Sequence, residues 1–292
     1  MGKKLYIIGN GFDLAHGIPT RYRDYHEWLK AEGEQWMMDM LEFYFGNEPG
    51  EHRNILWSDL ERALGVYSIK DIYDFLRGGH KLDIDHVMRS VGEVEAEVQY
   101  HFVEICHKFN ETFARWCRSI DLTSASKLSL FNFTPSDRFL TFNYSDTLEK
   151  VYGVAESQIL HIHGRAVQPN DEMIVGHNRP ATMPQEIEED FYDHEANYKA
   201  IIDTVNKLEK KTREIIGRNR KFFNAQNDVK EVVVVGHSVA DVDMPYFEVV
   251  KKNIASGANW RFSYYNDIDV VHIHDVAAEL GLDTAHYSVF HI

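Results

Sequence analysis

Four consecutive valines, Val232 to Val235, follow Glu231 with no polar residue among them. β-branched side chains favour strands. A strand with no polar alternation is covered on both faces, as in a parallel sheet. Other β-branched or aromatic runs read as strands at 4–8, 138–142, 158–162, 173–175, 260–265 and 286–291. Together with the 231–235 run they predict an α/β chain built on a Rossmann-like, doubly wound parallel sheet.

Over a hundred residues of helical character separate the first two predicted strands. Ser58, Asp59 and Glu61 open one predicted helix after Trp57. A long periodic stretch over 87–117 carries Val91, Val94, Val98, Phe102, Ile105, Phe109, Phe113 and Trp116. A second long helix is predicted over 194–223. Its apolar face is Tyr198, Ile201, Ile202, Val205, Leu208, Ile215 and Ile216, and its solvated outer face is Lys207, Lys210, Lys211 and Arg213. Residues 170–189, with Pro180 and Pro184, read as a loop or lid after Pro169. The domain expectation is one Rossmann-like domain over 1–292 with a mostly helical insertion at 20–130.

The formal net charge of −15 argues against nucleic acid and against anionic lipid as partners, since a polyanion binder shows a basic footprint. Cys106 and Cys117 lie eleven residues apart in the 87–117 stretch, roughly 16 Å along a helix. That is beyond the reach of about 7 Å for a disulfide. Two thiols also cannot make a four-cysteine zinc site. After the basic start Met1 to Lys4, the apolar run 5–8 is too short for a signal-peptide core. Tyr6 stands where a myristoylation signal has Ser or Thr. No run approaches the roughly 20 apolar residues of a membrane span. A cytoplasmic location is expected.

Four motifs sit at the ends of predicted strands. Gly9-Asn10-Gly11-Phe12-Asp13 follows the first. Two glycines there either let backbone amides approach a phosphate or make a tight turn. Leu14 stands where a dinucleotide fingerprint has its third glycine. Asn143-Tyr144-Ser145-Asp146 follows the second, and Asp146 with Glu149 has the spacing of a capping box. Asn143 either ties the turn or meets a ligand. Leu160-His161-Ile162-His163 stops at Gly164. Alternation places His161 and His163 on one face, as core histidines or as proton-transfer groups. Gly236-His237-Ser238 follows the valine run, then Asp241, Asp243, Pro245 and Tyr246. Ser238 and Asp243 either hold a ribose or cap the next helix. Val239-Ala240 lacks the second glycine of a serine-hydrolase elbow. In a parallel sheet all four motifs share the carboxyl edge, where ligands bind.

Ile7-Ile8-Gly9-Asn10-Gly11-Phe12-Asp13-Leu14-Ala15-His16-Gly17, Leu140-Thr141-Phe142-Asn143-Tyr144-Ser145-Asp146-Thr147-Leu148-Glu149, His161-Ile162-His163-Gly164 and Val235-Gly236-His237-Ser238 resemble the bacteriophage abortive-infection AbiH family. Trp57-Ser58-Asp59-Leu60-Glu61 fits the same pattern. That family is distantly similar to sirtuin-like NAD-binding proteins. The resemblance implies a catalytic pair in Asn143 and His163, and a ribose-contacting turn in Gly236, His237 and Ser238. The four-cysteine zinc module of sirtuin deacylases is missing, and Phe12 and Asp13 replace the small residues usual after their glycine turn. The zinc-free defence relatives hydrolyse NAD.

The implied activity is therefore hydrolysis of the nicotinamide–ribose bond of NAD, with no metal. Gly9, Asn10, Gly11, Phe12 and Asp13 would cradle the pyrophosphate. Asn143 would orient water or the ribose hydroxyls, and His163 would act as general base. Glu61 is read either as a helper of the site or as a helix-surface residue. Two rival readings are a sensor that binds NAD or ADP-ribose without chemistry, and a metal-dependent hydrolase using His161, His163, His177, His237, Asp241 and Asp243. The expected partners are a nucleotide and a phage-derived trigger, with assembly into a homo-oligomer left open.

Overall fold

The computed structural model describes residues 3–46, 56–65, 91–167, 173–177, 198–199, 201–203, 205–206 and 209–292. Among these, β1 (Lys4–Ile8), β2 (Arg138–Thr141), β3 (Ile159–His161), β4 (Glu231–Val235), β5 (Asn259–Tyr264) and β6 (Tyr287–His291) form one six-stranded sheet. Every neighbouring pair is parallel. The order is β3-β2-β1-β4-β5-β6, which is the order of Rossmann-type sheets and reverses between β1 and β4. The helices are α1 (Asn10–Ala15), α2 (Tyr22–Ala31), α3 (Gln35–Phe45), α4 (Leu60–Ala63), α5 (Val91–Ser119), α6 (Thr147–Lys150), α7 (Thr212–Arg218), α8 (Arg220–Asn224), α9 (Met244–Asn253) and α10 (Asp267–Glu279). None of the described helices is long and apolar enough to cross a membrane. The chain divides into two compact units. Met1–Arg21, Ala114–Ile174 and Lys211–Ile292 form the first, Tyr22–Phe113 and Val175–Lys210 the second.

The first unit contains the sheet. Leu5, Ile7, Leu140, Val232, Val234, Trp260 and Phe262 bury into one apolar cluster, and Tyr6, Ile8, Phe139, Val233 and Val235 into another. Successive residues of one strand enter different clusters because side chains alternate across a sheet. Both faces of β1 and β4 are thus covered, as the valine run requires. Tyr246, Phe247 and Val250 of α9 and Ile273 and Val276 of α10 fill the first cluster, while Phe12 of α1 and Leu148 of α6 join the second. Val232 in register with Leu5, and Val235 with Ile8, bring β1 and β4 to an end side by side. The turns that follow them therefore start together.

In the second unit, Tyr25 of α2 is fully buried and shares a hydroxyl–hydroxyl hydrogen bond of 2.7 Å with Thr112 of α5. Its ring meets Phe113 edge-on at 5.2 Å. Asp59 is the N-cap of α4 and accepts from the Arg62 amide, as the Ser58-Asp59-x-Glu61 pattern predicts. Ile105, Phe109 and Phe113 of α5 are buried, as is Trp116 in the part of α5 that belongs to the first unit. Val87 and the side chains of Val91, Val94, Val98 and Phe102 lie outside the described residues. Cys106 and Cys117 share α5 and are not joined in a disulfide, and burial pushes the Cys117 thiol well up.

Two expectations are corrected here. Residues 173–175 form no strand. The Ile174 amide donates to the His163 carbonyl and the Ile174 carbonyl accepts from the Tyr144 hydroxyl, so this segment is tied to turns and takes part in no ladder. Nor is 194–223 one helix. Residues 198–199, 201–203 and 205 are helical, but Glu209 bridges His177 and the Lys210 amide donates to the His177 carbonyl at 2.7 Å. Those bonds take the backbone out of the helix, which resumes at α7. Lys210, expected on a solvated face, is 3% exposed and its ammonium meets Glu61 at 2.7 Å. Lys207, Leu208, Pro180, Pro184 and the 178–189 part of the expected loop lie outside the described residues, as do 168–172.

Unfolding measurements on three single variants check these assignments. Glu61→Ala removes the carboxylate beside the buried Lys210 ammonium and should cost about 3 kcal/mol in urea unfolding, with a large part recovered in Glu61→Ala/Lys210→Met. Gly17→Ala should cost only about 1 kcal/mol, because its φ of +74° is the sole obstacle and no atom lies within 4 Å of the added methyl. Gly236→Ala should cost about 4 kcal/mol or more, since its Cβ would stand 2.2 Å from the Phe12 nitrogen at a φ of +62°.

Candidate active site

Parallel strands place the four motifs on one carboxyl edge. At the reversal point the turns after β1 and β4 are in direct contact. The Gly9 amide donates to the Val235 carbonyl at 2.9 Å, and the Gly11 amide to the Gly236 carbonyl at 2.7 Å. A Cβ on Gly9 would stand 2.5 Å from the His237 Cα, and one on Gly11 2.7 Å from the Gly236 Cα. The three glycines are therefore accounted for by this close approach. The Phe12 amide closes the turn onto the Gly9 carbonyl. The amides of Gly9, Gly11 and Phe12 are thus engaged within the protein. The Asn10 side chain donates to the Thr20 carbonyl, and the Phe12 ring is fully buried among Phe131, Phe133 and Tyr152.

Asp13 is 1% exposed and faces the loop after β2. The Ser145 hydroxyl donates to Asp13 Oδ2 at 2.6 Å. Burial pushes this carboxyl above the usual range, opposed by Ser145, Thr147, Asn143 and the nearby His16. The Asn143 backbone is held on both sides. Its amide donates to Thr141 Oγ1 at 3.1 Å, and its carbonyl lies 3.2 Å from His161 Nδ1. His161 Nε2 lies 2.9 Å from Glu149 Oε1. Both partners of His161 are acceptors, so a ring making both bonds carries a proton on each nitrogen.

The expected capping box at Asp146 and Glu149 is replaced by an ion cluster. Asp146 occupies the N-cap position of α6 without a side-chain cap bond. Arg165 reaches Asp146 Oδ1 at 2.8 Å, Glu156 at 3.0 Å and Glu149 at 3.6 Å. Burial acts to raise the Asp146 pKa, but Arg165 and Lys150 outweigh it and hold this carboxyl below the usual range. A guanidinium offers more to a carboxylate than a single backbone amide does, and Arg165 comes from beyond the next strand, where local spacing carries no sign of it.

His163 does not share surroundings with His161. β3 ends at His161, and Ile162 and His163 form a turn, so alternation stops before the second histidine. The His163 ring meets Phe142 edge-on at 5.0 Å and lies 6.0 Å from the Tyr246 ring. Its Nε2 is 3.8 Å from Asp243 Oδ1, and His237 Nε2 is 3.6 Å from Asp243 Oδ2. All three side chains are less than 10% exposed. Asp243 heads α9 but makes no cap bond. The Val239 amide donates to His237 Nδ1 at 2.8 Å, so a neutral His237 ring carries its proton on Nε2, toward Asp243. Val239 has a φ of +50°, a left-handed conformation that strains a β-branched residue. Ser238 is exposed and its carbonyl lies 2.7 Å from His272 Nε2.

The residues named from sequence thus form two groups. Asn143 and Asp13 face each other with Ser145 and Thr147, while His163, Asp243 and His237 gather around Phe142 and Tyr246. Ser145 and Tyr246 carried no motif signal beyond their places in Asn143-Tyr144-Ser145-Asp146 and after Pro245. His177 and Glu61 belong to the second unit. Among the described residues, no group of three or more His, Cys, Asp or Glu side chains is arranged to hold a metal ion.

A family model described as "Bacteriophage abortive infection AbiH" matches residues 5–264. The chain belongs to the AbiH family. No curated protein and no solved structure matches it. The AbiH match runs from β1 to the end of β5 and takes in every residue of both groups. Membership in AbiH points to a role in bacteriophage abortive infection.

The Arg165 cluster sets a pH signature for this AbiH chain. A carboxyl held below its unfolded value adds stability above about pH 4, and that stability is lost as pH falls through the folded value. Arg165→Ala should cost about 1–2 kcal/mol at pH 7. The deficit should narrow by pH 3, as read from urea midpoints at both values.

Proposed function

We propose that this AbiH protein binds NAD at the carboxyl edge of its sheet and hydrolyses the nicotinamide–ribose bond in the cytoplasm, so that loss of NAD stops an infected cell. The observation that carries the reading is the Asp243 carboxylate set between the imidazoles of His163 and His237, buried at that edge. Buried titratable groups in mutual contact are a mark of functional sites. The strand order, with its reversal between β1 and β4, supports a dinucleotide as ligand and a distant sirtuin-like relationship.

In the proposed step a water oxygen bonds to the ribose anomeric carbon. The carbon–nitrogen bond breaks, and its electron pair neutralises the pyridinium ring, so nicotinamide leaves uncharged. The water proton passes to His163, and the Asp243 carboxylate stabilises the resulting imidazolium. The transition state is oxocarbenium-like. Asn143 holds the ribose hydroxyls and His163 the water, so the two act on different atoms and need no common neighbour. His237 fixes Asp243 from the other side, and the Gly236-His237-Ser238 turn contacts ribose. In the Gly9–Asp13 turn the amides of Gly9, Gly11 and Phe12 are engaged and the glycines serve the contact between turns, so those three amides lend the reading no support as a phosphate cradle.

Purified protein should release nicotinamide and ADP-ribose from NAD, and His163→Ala should slow the reaction by about 10²–10⁴-fold. Asn143→Ala should also abolish most turnover. NAD left intact by the wild-type protein, both purified and in cells it protects during phage infection, overturns the hydrolase. Heat stabilisation by NAD or ADP-ribose without turnover replaces it with a nucleotide sensor, in which Asn143→Ala weakens affinity instead of a rate.

A further inference from the structure

Asn143 is 7% exposed, and its Nδ2 is buried without a hydrogen bond of ordinary geometry. The same holds for Oδ1 of Asp13. One atom is a donor and the other an acceptor, and the amide is close enough to favour the charged form of the carboxylate. The second Asp13 oxygen already accepts from Ser145 at 2.6 Å. The Asn143 backbone is fixed on both sides by Thr141 and His161. What remains free in Asn143 is the orientation of its amide.

We propose that Asp13 is a positioning residue for Asn143: its carboxylate takes the amide NH2 and so turns the side-chain carbonyl oxygen toward the ligand. An asparagine presents a donor or an acceptor depending on a half-turn of its amide. An ionised carboxylate accepts only, so the end that faces it must be the NH2. The outward carbonyl then suits a ligand that donates, such as the vicinal hydroxyls of a ribose. This assignment rests on reading Asn143 as a ligand contact. It also gives Asp13 a task other than phosphate binding, for which a buried carboxylate has the wrong sign. The same three neighbours, Ser145, Thr147 and Asn143, oppose the burial of the charge, which still pushes the carboxyl upward.

The test uses the full chain with ADP-ribose as probe. Asp13→Asn keeps the side chain's shape but can face Asn143 with either end of an amide. It should shift or double the side-chain 15N–1H2 resonances of Asn143, identified by their loss in Asn143→Ala. It should weaken ADP-ribose binding about tenfold and add nothing further in the Asn143→Ala background. Ser145→Ala, which removes the partner of the other carboxylate oxygen, serves as the variant for packing and should leave the Asn143 resonances in place. Unchanged Asn143 resonances in Asp13→Asn, or a binding loss that adds fully to that of Asn143→Ala, overturns the assignment. Failure of the wild-type chain to bind ADP-ribose overturns the NAD reading instead, and the resonances of Asn143 still decide the role of Asp13.

Discussion

Gly11 donating to Gly236 across two turns is the contact on which the rest of the site depends. β1 and β4 lie side by side in register and end together, so their turns must share one small space. Only residues without a Cβ allow it. Once the turns are closed against each other, Asp13 is carried to the loop after β2, and His237 is carried to Asp243. The glycines therefore act on the site through backbone spacing, and the polar side chains on either side of them inherit their positions. Steric exclusion at a few backbone atoms, measured in tenths of an ångström, decides where several buried charges stand.

Those charges face a low-dielectric surrounding in which each needs a partner. The chain supplies partners of different kinds. Asp13 has hydroxyls and an amide, Asp146 has a guanidinium, Asp243 has two imidazoles, and Lys210 has Glu61. The first lacks a full countercharge and is driven upward in pKa, while the second has one and is held down. Carboxylates on one sheet edge are thereby set to different protonation behaviour by their neighbours alone.

The sheet was legible in the sequence because its signal is local. β1 and β4 keep their predicted limits, and β2, β3, β5 and β6 differ by a single residue at one or both ends. The valine run announced two covered faces, and two apolar clusters cover them. The edge of the sheet was legible as a place, since each motif lies at a strand's carboxyl end. The neighbours within that edge were not legible, because they are set by long-range contacts. His161 and His163 part company where a strand stops one residue earlier than alternation assumes. Asp146 prefers Arg165 to its own helix. The long helix predicted over 194–223 gives way at Glu209 and Lys210 because His177 offers the backbone another partner, and a lysine that fits a solvated stripe by spacing is buried instead. Periodicity describes a segment in isolation, and each of these departures comes from a residue distant in the chain.

The turn contact joins Gly9 and Gly11 near one end of the chain to Gly236 far along it. Contacts of such wide sequence separation form late, because closing the intervening loop must precede any gain from the contact. During synthesis the chain must emerge beyond α9 before Asp243 and the turn at Gly236 can join β1. A nascent or truncated chain that stops short of β4 carries the asparagine and one histidine but no assembled edge. The topology itself withholds the assembled edge until β4 and the head of α9 have been made.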